Sequence, residues 1–186
     1  EVDDAALQRG AAAARSATSG EYLEALGPGG AVSPREVAYR GRQDPGHIVA
    51  DVRGFYEAFA FQPQSEDPPD HVAVEAGFVG WLHLKEAYAR ARGDEISAGT
   101  CADARERFLA EHLRHFVEPL FHKLEPVPIP HLALAARCLL ERTGPASEPS
   151  ADTCCDADDP AACDGCAGDP SGSPWGESSP PCGLGS

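Results

Sequence analysis

The sequence predicts an all-α protein, a single irregular helical bundle followed by a disordered C-terminal tail. Three observations lead there. Between Asp44 and Arg142 apolar residues recur at three- and four-residue steps, which gathers them on one face of a helix. That region shows no alternation of apolar and polar residues and no Asn-Gly or Asp-Gly hairpin turn. After "RCLLERTG" the chain has no Lys or Arg, and its only large apolar residues are Trp175 and Leu184.

In chain order, residues 1–32 are expected to be weakly structured. Their alanines favour helix, but only Leu7, Tyr22, Leu23 and Leu26 offer packing area, and "GPGG" then breaks the chain. A helical domain follows over 33–143. In "SPREVAY" Ser33 is a cap and Pro34 a first helical residue. "DPGHIVADVRGFYEAFAF" opens at Asp44-Pro45 and sets Ile48, Val52, Phe55 or Tyr56, and Phe59 on one face. In "SEDPPDHVAVEAGFVGWLHLKEAYARA" Asp67 is a cap, Pro68 starts the helix and the Asp70 carboxylate favours the positive helix end. Two adjacent rows, Val72, Ala76, Val79, Leu82 and Glu86 in one and Val74, Phe78, Trp81, Lys85 and Tyr88 in the other, make a wide buried face and mark a central helix. Gly77 and Gly80 within it suggest a closely packed neighbouring backbone. "ADARERFLAEHLRHFVEPLFHKLE" is amphipathic and is expected to kink at Pro119. "HLALAARCLLER" makes the last helix.

The tail, 144–186, is rich in Gly, Pro, Ser, Ala and Asp, and cannot bury enough surface to offset its ordering entropy. It carries −8 of the net charge of −15. An acidic balance of this size argues against a nucleic-acid binder and against adhesion to anionic lipid, and suits a cationic peptide partner. No apolar run approaches the roughly 20 residues that span a bilayer. The chain begins at Glu1 and holds no Met, so the expectation is a fragment or a missing true start.

Three sets of residues carry candidate chemistry. Asp70-His71 reads either as an acid–base or ligand-binding corner or as the capped opening of a helix. His112, His115 and His122 share one helix, yet no His-Glu-x-x-His or Glu-x-x-His pattern accompanies them, and a half-buried helix flank is the plainer reading. Cys101 and Cys138 read as buried, inert thiols. In the tail, Cys154, Cys155, Cys163 and Cys166, with Cys182 beyond, admit zinc or an iron–sulfur centre, free thiols or disulfides. No nucleophile, base and orienting group can be assembled, so the chain does not read as an enzyme.

Two motifs then resemble a known family. One is a proline, one residue, Asp-His, and a glutamate four positions on: Pro68, Asp70, His71 and Glu75. The other, about thirty residues later, is Phe108, Leu109, His112, Leu113, Phe116 and Pro119. With the aromatic-rich "VRGFYEAFAFQP" before them, they are similar to the TorD/DmsD/NarJ-type chaperones of molybdenum-containing redox enzymes, over residues from about 33 to 142. The first helices of that family are poorly represented here, as a truncated start would produce.

The resemblance implies a cytoplasmic, all-helical chaperone that is not an enzyme, either a monomer or a domain-swapped dimer. It would bind the immature catalytic subunit of a molybdopterin-dependent oxidoreductase through its twin-arginine signal peptide and assist cofactor insertion before export. Pro68, Pro69, Asp70, His71 and Glu75 would line the peptide-binding region. Tyr56, Phe59, Trp81 and His112 are added as contact residues, with ordinary core packing an equal reading for the aromatics. Weak guanine-nucleotide binding is a lesser implication. The alternative is a metal or iron–sulfur carrier or sensor that works through the tail cysteines.

Overall fold

The computed structural model describes residues 4–144, and among them the regular structure is helical, with one isolated antiparallel bridge between Arg35 and His71. The elements are α1 (Ala5–Ala14), α2 (Ser19–Leu26), a 3₁₀ turn (Glu36–Ala38), α3 (Pro45–Ala58), α4 (Val72–Ala91), α5 (Glu95–Phe108), a π-helical segment (Leu109–Leu113), α6 (Arg114–Leu124) and α7 (Pro130–Thr143). The all-α expectation holds. The tail, with its candidate metal ligands Cys154, Cys155, Cys163 and Cys166, lies outside the described residues.

The core is built from facing apolar stripes of α3, α4, α5 and α6. Phe78 of α4 sits at its centre, with the rings of Tyr56, Phe61 and Phe108 at centroid distances of 4.9, 5.4 and 4.7 Å. Leu82, Leu113, Phe116, Val117 and Leu120 extend the same cluster. The termini of α4 show why the chain turns where it does. Gly93 takes φ 74°, which lets the Asp94 N–H reach the Ala89 carbonyl and the Gly93 N–H reach the Arg90 carbonyl, both at 3.0 Å. These two bonds close the helix end on a residue without a Cβ penalty. Asp94 then caps α5 through the Ser97 N–H.

Several expectations need correcting. The N-terminal segment expected to be weakly structured holds two helices. Asp4 caps α1 through the Ala6 and Leu7 N–H groups, and Thr18 and Glu21 form a reciprocal capping box at α2. With no large buried side chain, α1 packs on α7 through small residues, and Gly10 lies 3.7 Å, measured from an ideal Cβ, from the Cβ of Leu134. "SPREVAY" makes only the 3₁₀ turn. Gly77 and Gly80 are exposed; no neighbouring backbone packs against either, the nearest group to Gly77 being the Phe61 ring. The amphipathic helix of the second motif starts at Glu95, earlier than its apolar stripe, because Asp94 supplies the cap. Pro119 lies inside α6, and the segment before that helix, Leu109–Leu113, is π-helical.

Candidate functional site

The Asp-His motif sits where two loops cross. The Glu36 N–H donates to the Asp70 carbonyl and the Val72 N–H to the Pro34 carbonyl, both at 2.9 Å, which makes a two-rung ladder ahead of α4. Tyr56 Oη donates to the Pro69 carbonyl at 2.8 Å and pins the proline pair from α3. These bonds occupy backbone groups that would otherwise lack partners in a buried turn.

Asp70 does not cap α4, and neither does Asp67. The Asp70 carboxylate is fully buried and turned toward Arg35, whose Nε and Nη2 both donate to Oδ1, at 3.1 and 2.8 Å. The Val37 N–H adds a third donor to Oδ2 at 3.3 Å. Asp67 instead accepts from the Ser65 hydroxyl, two residues away. The cap is His71: its Nδ1 accepts the Ala73 N–H at 3.1 Å. That bond requires a lone pair on Nδ1, so the proton is on Nε2, which donates to Tyr22 Oη at 3.3 Å. Burial holds His71 below the usual imidazole range, against the pull of Asp67 and Asp70, which keeps the capping tautomer neutral.

A second buried cluster lies behind this corner. Glu36 is fully buried and accepts from Arg40 Nε at 2.6 Å and from His112 Nδ1 at 3.1 Å. Arg40 also donates to the carbonyl of Glu111, in the π-helical segment. His112 is held edge-on to Phe55 and tilted against Phe108, at centroid distances of 5.6 and 4.8 Å. Glu75, one turn into α4, is fully buried beside Glu36. The two sequence motifs therefore meet through Glu36, a residue of neither.

Of the nine residues singled out for peptide contact, Asp70, His71, Glu75, Tyr56 and His112 are buried. The first three, with His112, form one polar cluster, and Tyr56 is an aromatic of the core. Pro68 and Pro69 are half-buried, as are Phe59 and Trp81, whose Nε1 donates to the Phe59 carbonyl at 3.0 Å. Phe59 packs against Phe78 and Trp81 against Phe61, at centroid distances of 6.3 and 6.5 Å. Spacing missed Tyr22, Arg35, Glu36 and Arg40. The i, i+4 pair Glu36–Arg40 was a visible signal, but its meaning depends on His112, far along the chain.

One face of the corner opens on an apolar groove of about 500 Å³. Tyr22 and Leu26 of α2, Ala76 of α4, Leu124 of α6 and Leu139 of α7 line it, with Asp67 and His71 at one side. Among the described residues no group of three or more His, Cys, Asp or Glu is placed to hold a metal ion. No described helix is long and apolar enough to cross a membrane.

The corner can be tested as a structural unit. Asp70→Ala is expected to cost about 1–3 kcal/mol in urea unfolding, because the half-buried Val37 N–H loses its acceptor while Arg35, 40% exposed, recovers water. An unchanged midpoint would mean that the ladder holds without the carboxylate.

The fold and the corner together define an all-helical protein whose buried polar groups hold loops in place beside an apolar groove. The comparisons agree. A family model described as nitrate reductase delta subunit matches residues 2–122, and the chain belongs to that family, one of maturation chaperones for molybdoenzymes. The match begins in the N-terminal segment and takes in α1 and α2, well upstream of the two motifs. No curated protein and no solved structure matches the chain.

Proposed function

We propose that this chain holds the immature catalytic subunit of a molybdopterin-dependent oxidoreductase in the cytoplasm, through its twin-arginine signal peptide, until the cofactor has been inserted. The family supports the client class, since its chaperones bind the catalytic subunit of nitrate-reductase-type molybdoenzymes. The observation that carries the finer reading is the apolar groove beside the Asp70–His71 corner. A signal peptide has a cationic start and an apolar centre. The groove accepts the apolar part as a helix-in-groove contact, and Asp67 at its rim, on a chain of net charge −15, attracts the cationic part. The buried Asp70, Glu75 and His112 act from beneath, by fixing the turn that carries His71 and Asp67.

Calorimetry with a twin-arginine signal peptide of such a subunit tests this. The full chain is expected to bind it, and Asp67→Lys to weaken binding by roughly fivefold or more, mainly through slower association, with the loss shrinking at high salt. Asp67 is exposed, so the variant keeps the fold. Absence of binding by the unaltered chain, or no effect of the charge reversal, would sink the proposed groove reading.

A further inference from the structure

We propose that Glu75 and Glu36 form a buried acid pair that shares one proton, Glu75 carrying it as a neutral carboxylic acid that donates to the Glu36 carboxylate. Both side chains are completely excluded from solvent. No N–H or O–H group reaches either carboxyl oxygen of Glu75, so as a carboxylate it would be an unpaired charge in the core. Glu36 differs, because Arg40 and His112 already donate to it. It can therefore hold the negative charge, and its remaining lone pairs are what a proton on Glu75 would meet. Two carboxylates in contact without water cannot both ionise, and a buried acid without a donor keeps its proton.

The surroundings act in the same direction. Burial, then the carboxylate of Glu36, then that of Asp70 push Glu75 well above the usual carboxylate range, and Arg40 opposes them. The groups facing the pair come from several elements: Glu36 on the 3₁₀ turn and Arg40 just after it, Asp70 before α4, Tyr56 on α3, His112 on the π-helical segment and His115 on α6. The shared proton thus fastens the first turn of α4 to the 3₁₀ turn, one turn below Asp70 and His71. This inference stands on the buried cluster and does not depend on the identity of the client.

The sign of the pH effect follows. A folded-state acid raised above its ordinary value of 4.5 stabilises fully below that value and loses its contribution as pH climbs through the raised one. The folding equilibrium constant then falls by up to tenfold per pH unit on account of this one proton. His71 and His115, both held low first of all by burial, act oppositely below about pH 6.5. They cancel when the unaltered chain is compared with Glu75→Gln.

Two measurements on the full chain decide it. Infrared spectra at neutral pH are expected to show a protonated carboxyl C=O band in the unaltered protein that Glu75→Gln abolishes. Urea unfolding followed from about pH 5 to 9 is expected to show the variant gaining on the unaltered chain as pH rises, up to tenfold per unit. No such band, or parallel stability curves, would overturn the proposal. If Glu75→Gln does not fold, the ¹³C titration of the Glu75 carboxyl in the unaltered protein decides instead: a carboxyl already ionised near pH 5 overturns the pair, and one protonated at neutral pH supports it.

Discussion

Replacing Glu36 by alanine is expected to remove about 3–5 kcal/mol of stability, a large share of what a domain of this size possesses. The reason is what the variant leaves behind. Arg40, with a side chain only 12% exposed, loses the carboxylate that compensates its charge, and His112, 4% exposed, loses the acceptor of its Nδ1–H. Breaking a buried pair by deleting one partner is far costlier than replacing both with apolar groups. Urea unfolding checks the figure. Glu36→Gln should lose less, because the amide keeps an acceptor oxygen for Arg40 and His112. A loss under about 1 kcal/mol for the alanine variant would show that the neighbouring Glu75 carboxyl ionises and takes over as acceptor for both donors.

Phe78→Ala is expected to cost a similar 3–5 kcal/mol through cavity formation. Phe78 is fully buried and its ring meets five others, those of Phe55, Tyr56, Phe59, Phe61 and Phe108. None of these can collapse into the space without leaving its own contacts, and Tyr56 is tied to the Pro69 carbonyl. The damage should therefore reach the Asp70–His71 corner. Leu84→Ala is the control: it lies on the same helix, 61% exposed, and should shift stability by no more than about 0.5 kcal/mol. Thermal or urea unfolding of the two variants side by side makes the comparison, and equal losses would contradict the assignment of the core.

The chaperone family and the helical architecture were legible from residues alone, and so was the start of α3 at Asp44-Pro45, where cap and N1 proline are local signals. The burial of Cys101 and Cys138 was legible too. The start of α4 was misread. "DPPDH" offers three residues able to cap, and Asp67 and Asp70 are the usual choices. Asp70 is drawn away by Arg35, 35 residues earlier, and His71 takes the role. The N-terminal helices were missed for a related reason. Apolar periodicity detects large side chains, whereas α1 docks on α7 with alanines and a glycine.

What the sequence determined by itself is that α3, α4, α6 and α7 are helices and that large apolar residues such as Val52, Phe78, Leu82 and Leu120 lie on their buried faces. Those depend on residues three and four apart, which any window of the chain contains. Only the tertiary structure decided which partner each buried charge receives. Glu36 joins Glu75 and His112, drawn from the two motifs, and Arg35 converts Asp70 from a helix cap into a clamp between loops. The worth of a charge depends on what excludes water from it and what donates to it, and both are supplied by residues far away along the chain.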